Sequence, residues 1–248
     1  MRLVTALLAL GGLAYGGIVT YEGRDAVVGP GGPRPVADAA RDSFLAAIGP
    51  AYFTLTFEGL PLGYAATLNF TTFHIDQVGT MATTGLNPND AGVTTDTTTP
   101  RTLGYNTTPG GDTFVRFVPI FDIGTAGASL VFKSPIEFFG AYFTGLGTAA
   151  GSLNARFNNG TAQSLPVVGG IGGGVQFFGF TTFGAPITEL DLVLEGVLGD
   201  TRDIYAIDDV ITGLRPTFVP STPEPATLAL VGGAIALLAV LRRHHSRN

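Results

Sequence analysis

The sequence has no cysteine and no tryptophan, and Lys133 is its one lysine. Without cysteine there are no disulfides, no zinc fingers and no thiol nucleophile. Without tryptophan a usual sugar-stacking platform is missing. Charged residues make up only 13% of the chain, too few to clothe many helices, whose wet faces draw on Glu, Lys, Gln and Arg. Basic charge is short where it would matter for nucleic acid. The net charge is −6, yet three of the 13 basic residues (Arg242, Arg243 and Arg247) fall in the last seven positions, and every acid precedes them. The body is therefore more acidic than the total suggests, and it lacks the footprint that phosphate binding needs. Nucleic acid is excluded as a partner.

In place of these residues the chain has 36 Gly and 18 Phe, with abundant Thr. That composition favours short strands joined by many turns. A length of 248 residues suits one all-β domain with targeting segments at its ends.

Short alternating runs recur through the body. In Tyr52 to Glu58, Phe53, Leu55 and Phe57 share one face while Thr54 and Thr56 take the other, the pattern of a half-buried strand. Similar runs lie at 67–73, 113–121, 129–132, 136–143, 153–157, 175–180, 187–194 and 204–211. Gly, Pro, Asn or Asp separate them, as a two-sheet antiparallel sandwich requires. Ahead of them, Ala40, Phe44, Leu45 and Ile48 are spaced as on one helix face, closed by Gly49-Pro50, which predicts one short lead-in helix over 38–48. The stretch 79–112 breaks the strand rhythm with Thr, Asn, Asp and Gly. It reads as a long polar loop.

Both ends carry apolar runs. Arg2 followed by Leu3 to Leu13 has the form of an export signal; a cleaved leader over 1–20 and an uncleaved N-terminal anchor both remain open, with a linker over 21–36. At the other end Thr222-Pro223-Glu224-Pro225 precedes an uncharged segment, Ala226 to Leu241, and then Arg242-Arg243-His244-His245. Sixteen helical residues rise about 24 Å, a little less than a bilayer core of about 30 Å, and flanking arginines can snorkel across that mismatch. The reading is a transmembrane helix over 226–241, with Arg242 and Arg243 as the cytoplasmic stop and the body outside.

Motif, apolar helix and basic stop, in that order, resemble the PEP-CTERM sorting signal of Gram-negative bacteria, here over 223–245 with 215–222 as linker. The resemblance implies that an exosortase recognises Pro223, Glu224 and Pro225, cuts near them, and frees the body for the cell surface or the exopolysaccharide matrix of a biofilm. Prolines before the helix suit such a protease, because they keep that segment extended. The body, over 37–214, is similar to the jelly rolls common among PEP-CTERM proteins. The resemblance rests on Phe57-Glu58-Gly59, Phe138-Phe139-Gly140-Ala141-Tyr142, Phe178-Gly179-Phe180 and Tyr205-Ala206-Ile207-Asp208-Asp209-Val210. A Phe-Glu start with an Ala-Ile-Asp-Asp end is also similar to MAM-type adhesion domains and some carbohydrate-binding jelly rolls. The expectation is an all-β, jelly-roll-like antiparallel sandwich with one short helix, flanked by a signal helix and a transmembrane helix.

If the first and last strands neighbour each other, Glu58 approaches Asp208 and Asp209. Converging carboxylates repel unless protonated or bridged by a cation, and Ca²⁺ takes six to eight such oxygens. A structural Ca²⁺ site at Glu58 and either Asp208 or Asp209 is one expectation, strand alternation aiming only one aspartate at it. Solvated edge acids are the other.

Catalysis has little to stand on. His244 and His245 lie in the tail that processing discards, so a Ser-His-Asp arrangement depends on His74 alone, which reads as structural. Gly169 to Gly174 lacks the Gly-x-Gly-x-x-Gly spacing and any following Lys, so it reads as a strand connection. The sequence therefore points to a non-catalytic surface or matrix protein, with exosortase, exopolysaccharide and membrane as partners. A calcium-supported carbohydrate-binding or carbohydrate-active jelly roll is the rival, with the 79–112 loop as the place for its ligand.

Overall fold

A computed structural model describes residues 17–65, 67–78, 91–95, 97, 100–117, 125–147, 152–170, 172–195 and 204–215. The expected sorting motif, transmembrane helix, Arg242 and Arg243 lie outside these residues, as does most of the leader. Among the described residues no helix is long and apolar enough to cross a membrane.

In chain order the elements are β1 (Ile18–Ala26), α1 (Pro35–Ile48), β2 (Phe53–Leu55), β3 (Gly63–Ala65), β4 (Thr67–Asn69), β5 (Phe73–Val78) and β6 (Ala91–Thr94). They continue as α2 (Pro100–Leu103), β7 (Phe114–Phe117), β8 (Thr125–Ile136), β9 (Phe138–Thr144) and β10 (Ser152–Asn158). The last four are β11 (Ala162–Val167), β12 (Gly174–Thr182), β13 (Ile187–Glu195) and β14 (Tyr205–Gly213). They form two antiparallel sheets face to face, which bears out the all-β sandwich. One runs β1-β12-β9-β14-β7-β6-β3, with β2 also on β14; the other runs β11-β10-β13-β8-β5-β4. The last eight strands pair as a nested set: β7 with β14, β8 with β13, β9 with β12, and β10 with β11. Successive pairs alternate between the sheets.

Alternation decides which side chains fill the sandwich. Along β10, Leu153, Ala155 and Phe157 are buried while Asn154, Arg156 and Asn158 face outward. Inside, Phe157 stacks on Phe180 from the opposite sheet at 4.5 Å, and Phe57, Phe73, Phe143 and Phe178 join the same cluster.

The outer faces differ. Helix α1 starts with Pro at its first turn, where a missing N–H costs nothing, and lies on the eight-stranded sheet. Its Phe44 is fully buried between Tyr21, Phe138 and Phe177. Room for that ring comes from Gly140 and Gly179, cross-strand neighbours on β9 and β12. A Cβ on Gly140 would lie 2.8 Å from the Phe44 ring. The six-stranded sheet instead has a polar outer row in register: Ser164, Arg156, Asp191, Ser129, Asp76 and Thr67.

Several expectations shift. Residues 18–26, expected as leader end and linker, form β1, paired with β12 over nine residues. The expected strand at 52–58 shortens to β2 because Phe57 adopts φ 62°, which ends extended pairing. The expected strand at 67–73 is a hairpin, β4 and β5, turning at 70–72. Within the expected polar loop, residues 91–94 pair with β7 as β6.

Candidate functional site

Strand β14 holds the Tyr205 to Val210 motif at the centre of its sheet, between β9 on one side and β7 and β2 on the other. Its register on β9 slips between Asp208 and Ile211, a one-residue bulge with Asp209 at φ 51°. A bulge turns two consecutive side chains to one side. The expectation that alternation lets only one aspartate face the site is thereby corrected: both reach the loop before β7.

Asp208 is fully buried and Asp209 nearly so. Asp208 Oδ2 accepts the backbone N–H of Thr107 at 2.6 Å and of Thr108 at 3.1 Å. Its Oδ1 accepts the N–H of Asp209 at 2.8 Å. The Thr107 hydroxyl lies 3.0 Å from Asp208 Oδ2 and 3.1 Å from Asp209 Oδ2, and the Thr108 hydroxyl donates to Asp209 Oδ1 at 2.7 Å. Burial first, and the neighbouring Asp209 charge second, push the Asp208 carboxyl up to about 7 despite these donors.

Glu58 follows the strained Phe57, whose left-handed conformation is costly for a bulky residue and sends its ring into the core beside Phe70 at 5.2 Å. Glu58 Oε1 accepts from Asn106 Nδ2 at 2.6 Å and from the Thr113 N–H at 3.3 Å, and Oε2 from the Asp112 N–H at 3.3 Å. The Asn106 amide also donates to the Thr113 carbonyl at 2.7 Å. A Cβ on Gly111 would lie 2.1 Å from Glu58 Oε1, so any side chain there would displace that carboxylate from its donors.

Glu58, Asp208 and Asp209 thus clasp the same loop, 105–113, though Glu58 shares no hydrogen-bond partner with the aspartates. The loop's start is fixed by Thr144, whose hydroxyl accepts from the Tyr105 N–H at 2.8 Å and donates to its carbonyl at 2.9 Å. Its tip is a turn through Pro109-Gly110, closed by Gly111 N–H to Thr108 carbonyl at 3.0 Å. Among the described residues no group of three or more His, Asp or Glu is placed to hold a metal ion. His74 lies apart on β5, its Nε2 3.2 Å from Asp76. The described glycines of 169–174 connect β11 to β12.

Over this loop opens a cleft of about 630 Å³ between residues 29–34 and 105–112, with Thr95 and Thr97 at its side. Arg34 and Asp38 stand on one wall and Asp112 on the other. Sequence reasoning gave 79–112 as the place for a ligand without singling out Asn106, Thr107 or Thr108 within it, and it passed over Arg34 and Asp38. The run Asn-Thr-Thr-Pro-Gly-Gly was a legible turn signal, but its partners come from distant strands.

No family model matches the chain, and no curated protein matches it. Among solved structures it is similar to the enzymatically active domain of tailspike protein 4 of bacteriophage CBA120, with 17% identity and a TM-score of 0.33. The overlap covers 58% of this chain and 20% of that one.

Proposed function

We propose that this chain is an exported, non-catalytic cell-surface or exopolysaccharide-matrix protein, held by its C-terminal helix and released by an exosortase. The observation that carries this reading is the order of Pro223-Glu224-Pro225, the uncharged run 226–241, and Arg242-Arg243. The body suits such a role. We read its nested strand pairs as a jelly roll, and its three selected acids spend their hydrogen bonds holding a loop rather than standing free as acid and base. The test replaces Pro223, Glu224 and Pro225 together by alanine. The reading expects the body to accumulate, unprocessed, in the inner membrane, and normal release of that variant would refute it.

A second reading is favoured by one feature: all three acids support the loop that floors the cleft. It is a calcium-supported carbohydrate-binding or carbohydrate-active jelly roll. A cation at Asp208 and Asp209 would offset both the burial and the Asp209 repulsion that hold the Asp208 proton. It predicts a higher melting temperature in Ca²⁺ than in chelator; equal melting removes calcium from the account.

A further inference from the structure

We infer that the cleft between residues 29–34 and 105–112 is a binding site for a neutral oligosaccharide, with Arg34 and Asp38 as its hydroxyl-recognition pair. The inference rests on the proposed matrix role and gives that role a site.

Both side chains are fixed before any ligand arrives. Arg34 Nε donates to Asp38 Oδ1 at 2.9 Å, and the guanidinium carbon lies 4.3 Å above the centre of the Tyr142 ring. Tyr142 itself donates its hydroxyl to the same Asp38 Oδ1 at 2.5 Å. Burial, then this hydrogen bond, raises the Tyr142 phenol well above its ordinary value, so it stays a donor. These contacts use one guanidinium nitrogen and one carboxylate oxygen. Among the described residues, the two terminal amino groups of Arg34 and Oδ2 of Asp38 have no protein hydrogen-bond partner. A fixed donor fork beside a fixed acceptor is what a pair of sugar hydroxyls needs, since each hydroxyl donates and accepts. Little side-chain entropy is then lost on binding.

The opposite wall continues the pattern. Asp112 uses Oδ1 to accept from the Thr113 hydroxyl at 2.9 Å, while Oδ2 has no partner among the described residues. Among the described lining residues, two carboxylates against one guanidinium leave the walls net negative, which disfavours uronates and phosphates and leaves neutral sugars. Pro30, Pro33 and Pro109 add apolar ring surface for sugar C–H faces, and the volume lies within the range of small-molecule sites. The opposite wall is held by the Glu58 and Asp208-Asp209 clasp, so the cleft is pre-formed.

The test is titration calorimetry on the purified protein with cello-, xylo-, manno- and galacto-tetraose, and with tetragalacturonate as the anionic probe. The expected result is saturable binding of at least one neutral probe, weakened about tenfold or more by Arg34→Ala and by Asp38→Ala. Because Arg34 is the N-cap residue of α1 and its loss also touches the helix, Thr97→Trp is the second variant. Thr97 is an exposed cleft residue, and filling that space should weaken binding with the melting temperature unchanged. No binding by any neutral probe, preference for tetragalacturonate, or equal binding in all three variants would overturn the inference. Binding by purified protein is read independently of where cells place it, so failure of the sorting reading is distinguishable from failure of the site.

Discussion

Replacing Asp208 by Asn should change the sign of its effect on stability with pH. In the native protein burial and the Asp209 charge raise the Asp208 carboxyl from 3.8 to about 7. The native state therefore keeps a proton that the unfolded chain releases. Stability from this group is fully present below 3.8 and is lost as pH rises through about 7. A shift of roughly three units corresponds to about 4 kcal/mol. Asparagine cannot ionise, so it escapes this loss, the repulsion from Asp209 included. It has a fixed cost, because one carboxylate oxygen becomes an NH₂ and either the Asp209 or the Thr107 and Thr108 N–H groups lose their acceptor. An unmet buried donor costs about 1–3 kcal/mol. The variant should thus be the less stable protein near pH 4, and relative to wild type it should gain about 4 kcal/mol by pH 8. Urea unfolding at several pH values, in chelator so that no cation holds the ionised pair, gives the difference directly, and other titrating groups cancel in it. A difference that does not vary with pH, or one that moves in favour of wild type as pH rises, would refute the reasoning.

Three further outcomes follow from the packing. Gly140→Ala places a Cβ 2.8 Å from the Phe44 ring; α1 must shift, at a cost of about 1–3 kcal/mol, measured by thermal unfolding. Gly111→Ala drives a methyl into Glu58 Oε1, and hydrogen exchange at the Asp112 and Thr113 amides should accelerate while the β9 and β12 amides stay protected. If a leader is removed, sequencing of the mature protein should find an N-terminus at or before Gly17, whose carbonyl accepts from the Phe183 N–H at 2.9 Å. A start at Thr20 or beyond would delete paired residues of β1 and contradict that strand's place.

Local pattern made some elements legible and left others hidden. Helix α1 was readable because Phe44 and Ile48 both meet the sheet and Gly49-Pro50 ends the helix; only its first turn, at Pro35, was missed. β10 was readable because Leu153, Ala155 and Phe157 face one core. β1 was not, since Glu22 and Arg24 are exposed, Gly23 is the one fully buried residue in the strand, and no apolar alternation survives. β6 is four residues long in a Thr-rich stretch, and its pairing with β7 comes from tertiary context. At the site, sequence placed Glu58 on a strand beside Asp208 and Asp209; β2 does pair with β14, but it ends at Leu55, and Glu58 meets the same loop as the aspartates from the turn beyond it. It erred on the aspartates' directions, because a bulge adds one residue without any compositional mark. The donors were missed for another reason: which acids Thr107 and Thr108 bond depends on partners about a hundred residues away.

The most direct test of the central claim is intact mass of the native protein, with cell fractionation, in strains with and without an active exosortase. The account predicts a body that ends near Pro223 and lies outside the inner membrane in the first strain, and an uncut chain retained in that membrane in the second. A chain keeping Arg242 to Asn248 in the inner membrane of both strains would contradict it, and would make this an ordinary tail-anchored protein.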